Sequence, residues 1–351
     1  MNPGFRRVLA ASTEDRRGLF VEAAQRLGTT ERYIEKDFWV CWTLDALFNE
    51  RAAAGGPRLL FKGGTSLSKA YGLIARFSED IDITVFRDDL GQPASFEELQ
   101  RLSVKKRVAR LDAIRDACRT FIGGKLHSDL SAILAGALEG LPPENARIEL
   151  ASDDPHGQTL LLSYASVIEV QDGYVKPVVR IECGAKSALD PNAPAVVKPY
   201  VADDLREPDF TVKNVTTVDA RRTFWDKIVI LHGTRRWFDA KRELRQQGER
   251  VSRHYYDVHR LLDSDVGRHA VADLRMAKDC ASHARMFFDR PAFDLRSAEE
   301  GRFAVAPAEG MIDALRRDYE NMVGMIFGPV PAFDAVLESI VRLHDQLNGR
   351  R

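Results

Sequence analysis

Between Phe61 and Phe86 the chain reads FKGGTSLSKAYGLIARFSEDIDITVF, and the last third of that stretch constrains the fold most. Asp80 and Asp82 alternate with Ile81, Ile83 and Val85. A strand with this period of two places both carboxylates on one face and the aliphatic side chains on the other. Two like charges held close together are unfavourable unless a cation or a proton lies between them.

The two glycines upstream supply a second part. Gly63 and Gly64 follow a strand-like Leu59-Leu60-Phe61 and Lys62, and Thr65-Ser66-Leu67-Ser68-Lys69 is suited to open a helix. A glycine turn at a helix start exposes backbone N–H groups, and nearby hydroxyls add donors, so the place suits a phosphate. The Walker A spacing GxxxxGK[ST] is absent. Alone, such a turn most often just joins a strand to a helix, and Asp-Ile-Asp alone fits an ordinary solvent-facing edge strand. About sixteen residues apart, the two features together argue for a site. Carboxylate oxygens suit Mg²⁺ or Mn²⁺, which keeps waters and borrows the phosphates of a substrate. Metals held this way activate an attacking oxygen and stabilise a leaving one. In VVRIECGA, Glu182 faces away from Val179, Ile181 and Cys183 and is the candidate third carboxylate. A plain surface position is the alternative for it.

A chain of 351 residues accommodates two domains, or one with extensions. Its net charge of −1 carries no global nucleic-acid signature. Cys41, Cys118, Cys183 and Cys280 lie far apart without a Cys-x-x-Cys pair, which fits free thiols in a reducing cytoplasm. The N-terminal stretch has no long apolar core of a signal peptide, and no run approaches the length of a membrane span. Residues 12–49 read as helical, with Thr29 or Thr30 as N-cap of the segment holding Ile34, Phe38, Cys41 and Phe48. SFEELQRLSVKKRVARLDAIRDACRTFIGGKL reads as one helix or two, ended by Gly123–Gly124. QTLLLSYAS and YVKPVVRIECGA read as strands, with a turn at Asp172–Gly173. Beyond about Thr216 the pattern is helical, broken near Pro291, Pro307 and Pro329–Pro331. The expected class is α/β (α+β): a mixed sheet with flanking helices over residues 1–210 and a helical domain over 211–351.

In TFWDKIVILH, Phe224, Ile228 and Leu231 form a core stripe and Lys227 lies off it, either solvated or free to meet a phosphate. In SRHYYDVHRLL, Tyr255, Val258 and Leu262 form the stripe, and Asp257 is expected to pair with Lys227 or to orient a substrate hydroxyl. His254 reads as a helix-end or packing residue. Two segments concentrate positive charge, residues 101–125 with eight basic against two acidic and residues 233–254 with seven against three. They suit a polyanion, or are solvated helix faces. Trp237 and Phe238 are placed to stack on an unpaired base or to pack within the domain.

IEKDFWVCWTLDALF, FKGGTSLSKAYGLIARFSEDIDITV, RRTFWDKIVILH and SRHYYDVHRLL, in that order, resemble the AbiEii/AbiGii toxin family, which includes the MenT-type toxins, within the nucleotidyltransferase superfamily. The resemblance runs from residue 34 to 262 and implies a nucleotidyltransferase-like sheet. It implies that Gly63, Gly64, Thr65 and Ser66 form the nucleotide-phosphate turn, with Lys69 near the phosphates and Ser78 just before the acids. Asp80 and Asp82 match the metal-binding aspartates, Lys227 the lysine that touches the phosphates of an NTP, and Asp257 the acid of the fourth motif. The same resemblance implies an RNA acceptor, such as a tRNA 3′ end, and a cognate antitoxin encoded nearby, in a toxin–antitoxin or phage-defence pair. A protein or small-molecule acceptor, and a non-catalytic nucleotide- or RNA-binding regulator, are the other readings.

Overall fold

The computed structural model describes residues 2–140, 146–168, 176–205, 209–245 and 250–349. The turn expected at Asp172–Gly173 lies outside the described residues. The chain divides into two units, one of residues 1–70 and 77–218, the other of residues 71–76 and 219–351. By chain contacts the division falls at 218/219, and a six-residue excursion between the glycines and the acids goes with the second unit.

The first unit is built on a seven-stranded sheet of β1 (Leu59–Lys62), β2 (Asp80–Val85), β3 (Ala146–Leu150), β4 (Thr159–Tyr164), β5 (Val178–Gly184), β6 (Asn192–Val197) and β7 (Val212–Val218). Their order is β3-β4-β5-β2-β1-β7-β6. β2 pairs antiparallel with β1 and parallel with β5, and β1 pairs parallel with β7, so the sheet is mixed. Its helices are α1 (Pro3–Ala10), α2 (Thr13–Leu27), α3 (Glu31–Asp45), α4 (Arg51–Ala53), α5 (Gly63–Lys69), α6 (Phe96–Arg101), α7 (Val104–Phe121) and α8 (His127–Ala137). The mixed α/β class expected from the sequence is what the chain adopts.

α3 organises this core because nearly its whole circumference is apolar or internally paired. Phe38 meets Phe5 and Phe20 at ring distances of 5.4 and 5.9 Å, and Trp39 stacks on Tyr164 of β4 at 5.1 Å. Ile81, Ile83 and Val85 add the aliphatic face of β2 to the same core. Gly123–Gly124 do not end a helix. α7 passes through one wide π turn (Ile122–Leu126) directly into α8, and neither glycine adopts the left-handed conformation of a C-cap.

The second unit is helical: α9 (Ala220–Lys241), α10 (Ser252–Leu262), α11 (Asp265–Ala272), α12 (Leu274–Phe287), α13 (Ile312–Met322) and α14 (Phe333–Leu347). α10 packs against α9, α11, α13 and α14, so its acid Asp257 is fully buried. Trp225 of α9 meets Phe303 at 5.6 Å and donates its indole N–H to the Ala270 carbonyl. The short segment 71–76 joins this unit through a bridge between Arg76 and Ile326 and the Phe327 N–H bond to the Ala75 carbonyl. Among the described residues, no helix is long and apolar enough to cross a membrane.

Candidate active site

β1 runs straight into α5 at Gly63, whose φ of 79° is readily open only to glycine. A Cβ on Gly63 would stand 2.0 Å from Asp82 Oδ2, so the backbone turn and the second acid are in direct contact. The register explains this approach. Lys62 lies opposite Asp82 across the antiparallel β1–β2 pair, which delivers the glycine to the carboxylate one residue later. The Lys62 ammonium is 3.7 Å from Asp82 Oδ1 and offsets part of its charge.

The hydroxyls expected to serve a phosphate are committed to the protein instead. The Thr65 hydroxyl donates to the Asp80 carbonyl and shares a 2.8 Å hydrogen bond with the Ser78 hydroxyl. The Ser66 hydroxyl donates to the Gly63 carbonyl at 2.9 Å. Thr65 and Ser78 therefore fasten the turn to the acid strand while Ser66 braces the turn internally, and the first backbone N–H groups of α5, Gly64 among them, remain as donors for a ligand. Lys69 points inward. Its ammonium is 2.7 Å from Asp37 Oδ1 and 3.7 Å from the ring centre of Tyr200. Burial alone would lower its pKa, but the facing Asp37 outweighs burial and raises it.

Parallel pairing sets Asp80 beside Arg180 and Asp82 beside Glu182, so the third expected carboxylate is on the same face as the pair. Glu182 is half exposed and held by Arg180 at 3.1 Å, and Arg180 also grips Asp153. Among the described residues, no three His, Cys, Asp or Glu side chains close into a metal cage. The residues present fit a hard divalent cation that completes its shell with water and substrate: the donors are oxygens, and the glycine leaves Asp82 uncovered by a side chain. A cavity of about 680 Å³, lined by Phe48, Arg51, Leu59, Phe86, Asn192 and Thr216, lies at the opposite ends of β1 and β2 from these acids.

In the second unit Lys227 is buried rather than solvated, because the helix face off the aliphatic stripe meets an acid. Its ammonium is 2.8 Å from Asp257 Oδ2, the pairing expected from the sequence. Arg76 clasps the same carboxylate with Nε and Nη2 at 2.7 and 2.8 Å. Burial alone would raise the pKa of Asp257; Arg76 and Lys227 together drive it well below the usual carboxylate range. Burial, against the pull of Asp257, lowers that of Lys227. Half-buried His254 is one turn earlier on α10, and its Nδ1 has no hydrogen-bond partner among the described residues. Burial first, then Lys227 and Arg253, push it well below the ordinary histidine pKa. Trp237 packs on Phe293 at 6.0 Å and Phe238 sits against Gly310, so both aromatics serve packing. Ser297, His232 and Asp294 also meet, but His232 Nδ1 accepts the Ala304 N–H, so Nε2 carries the proton and has no lone pair for Ser297.

The sequence reading missed Arg76, and also Lys36, Asp37 and Glu79. The available signal was a charge inside an apolar run. Arg76 interrupts Leu73-Ile74-Ala75 and Phe77, and Glu35-Lys36-Asp37 interrupt a helix of aromatics. Buried charges require partners.

A mixed sheet whose glycine turn abuts an Asp-x-Asp strand, followed by a helical unit with a buried lysine–aspartate pair, is the frame of a nucleotidyltransferase. The family profile described as nucleotidyl transferase AbiEii toxin, type IV TA system, matches residues 45–339. The chain belongs to that family and is a nucleotidyltransferase of the toxin side of a type IV toxin–antitoxin system. The family implies an NTP substrate and a cognate antitoxin. Among solved structures it is similar to the MenT4 nucleotidyltransferase toxin of Mycobacterium tuberculosis H37Rv, at 15% identity over 95% of this chain and 99% of that one, with a TM-score of 0.40. No curated protein matches the chain.

Proposed function

We propose that the enzyme transfers a nucleoside monophosphate from an NTP to a hydroxyl of RNA, of the tRNA 3′-end type, in the cytoplasm, and that this arrests growth as a phage-defence response. The observation that carries the catalytic part is the seating of Asp82 on Gly63, which joins a phosphate-accepting turn to a carboxylate pair. The backbone N–H groups of Gly64 and its neighbours hold phosphate oxygens. Asp80 and Asp82 would hold Mg²⁺ or Mn²⁺, with Glu182 beside them in register. When bound, that ion would supply Lewis-acid charge neutralisation to the reacting phosphate. Lys227, held by Asp257 and close to Arg76 on the same carboxylate, is the candidate ammonium for a phosphate of the NTP. The acceptor oxygen forms the new bond to the α-phosphorus, the bond to the bridging oxygen breaks, pyrophosphate leaves, and the hydroxyl proton is released to solvent. Positioning and electrostatics provide the acceleration.

The excess positive charge of α7 supports RNA as acceptor, for Lys105 and Lys106 are exposed there. Four free cysteines fit a reducing compartment. The test is incubation with each α-labelled NTP, Mg²⁺ and total cellular RNA and protein. Label on RNA that disappears with Asp80→Ala is expected. Label on protein alone would move the acceptor to a protein hydroxyl. Normal labelling by Asp80→Ala would refute the mechanism.

A further inference from the structure

Glu35, Lys36 and Asp37 are consecutive, all ionisable and all buried, in the middle of an aromatic-rich helix of the first unit. Burying three charges is costly, and each has a separate partner. Glu35 accepts the Val167 N–H at 2.8 Å and the Ser166 hydroxyl. Lys36 meets Glu79 Oε2 at 2.7 Å. Asp37 meets the Lys69 ammonium at 2.7 Å with one oxygen and accepts the Tyr200 N–H at 2.7 Å with the other. The targets of the last two are not scattered. Glu79 is the residue before Asp80, and Lys69 is the last residue of the helix that Gly63 opens.

We propose that Lys36 and Asp37 are positioning residues for nucleotidyl transfer. Asp37 anchors the glycine turn through Lys69, Lys36 anchors the acid strand through Glu79, and α3 fixes the distance between phosphate donors and carboxylates. Lys69 on this account never touches the triphosphate. Its charge is used at Asp37, under the face of Tyr200, and its effect on the reaction passes through the backbone of α5. Thr65, bonded to the Asp80 carbonyl, ties the two anchored pieces to each other. Hydrophobic residues in these places would bury as well or better, since a buried ion pair seldom adds net stability over an apolar one. What the pairs add is direction: a bidentate or short ionic contact fixes a helix end and a strand end in a way that packing does not.

The inference rests on the catalytic reading above, and one set of variants separates the two. In the full-length protein, transfer kcat and the KM for NTP are measured for Asp37→Asn, Lys69→Met and the double variant, with Asp80→Ala alongside and melting temperatures recorded. Each single variant is expected to lower kcat by about a hundredfold, the cost of roughly an ångström of misplacement. The KM for NTP is expected to stay close to that of the parent in both, and the double variant to be no worse than either single one. A Lys69→Met variant that raises the KM for NTP while Asp37→Asn does not, with effects that multiply in the double variant, overturns the inference and makes Lys69 a phosphate ligand. Where the neutral variants melt below the assay temperature, Asp37→Glu and Lys69→Arg take their place. Both keep the ion pair but shift the helix end, so a lowered kcat at constant KM supports the proposal. A raised KM in Lys69→Arg alone refutes it. An active Asp80→Ala would instead overturn the catalytic reading, whatever the coupling between Asp37 and Lys69.

Discussion

Gly63 and Asp257 are two residues at the candidate site whose replacement the geometry judges severely. Gly63→Ala adds a methyl 2.0 Å from Asp82 Oδ2 on a backbone at φ 79°. It is expected to abolish transfer and to cost about 1–3 kcal/mol, read from urea unfolding. Asp257→Asn leaves Arg76 and Lys227 buried without their anion and is expected to destabilise by about 3–5 kcal/mol. The pH dependence separates two kinds of group. The folded pKa of Asp257 is depressed, so its stabilisation is present above the unfolded carboxylate pKa of about 4 and is lost as pH falls through the folded value. His232 and His254 are depressed too, chiefly by burial, so between the unfolded histidine pKa of about 6.5 and their folded values only the unfolded chain takes up the proton. The contribution of these imidazoles to stability is therefore expected to fall as pH drops from 7 to 5, by up to about 1.4 kcal/mol per unit for each, while the buried Glu35 and Asp37, whose pKa values burial raises, act in the opposite sense. A fall in urea midpoint between pH 7 and 5 as large in a His254→Asn variant as in the parent would contradict the burial of that imidazole. The sequence announced the glycine and the acid pair because alternation and adjacency are local. It did not announce Arg76, whose partner is 181 positions away.

At the scale of elements, the strands of the central pairs were legible and the outer ones were not, for a physical reason. β2, β4 and β5 each hold a stretch of alternation over a core. β7 loses it at Asn214, which takes a left-handed φ of 60°, and the facing β6 shifts register between Ala195 and Val197. β6 also contains Pro194, which argues against a strand from sequence and is tolerated here because β6 is an edge. The glycine pair misled in the opposite direction. Gly-Gly normally signals a helix end, but the wide turn at Ile122–Leu126 absorbs both within a continuing helix. Gly124→Ala tests this directly. An added Cβ meets nothing within 4 Å, and the backbone is already helical, so a gain of about 0.5–1 kcal/mol is expected from calorimetry. A C-cap glycine would give a loss.

For the whole molecule, the boundary at 218/219 was nearly readable from the change of periodicity after Thr216, but the excursion of residues 71–76 was not. No local pattern marks six residues as belonging with a helical unit that begins about 140 positions later. They contribute Arg76, one of the two cations on Asp257, and the backbone bond from Phe327 to Ala75. Residues 219–351 alone are therefore expected to melt below the intact protein. Equal melting would mean that the excursion adds nothing. The same six residues bear on inheritance. A helical unit encoded as one uninterrupted block can be exchanged between genes by a single crossover, but this one cannot, since a crossover at 218/219 separates Asp257 from the arginine that clasps it. Chimaeras between distant relatives should survive only when the stretch that joins the glycines to the acids travels with the helices.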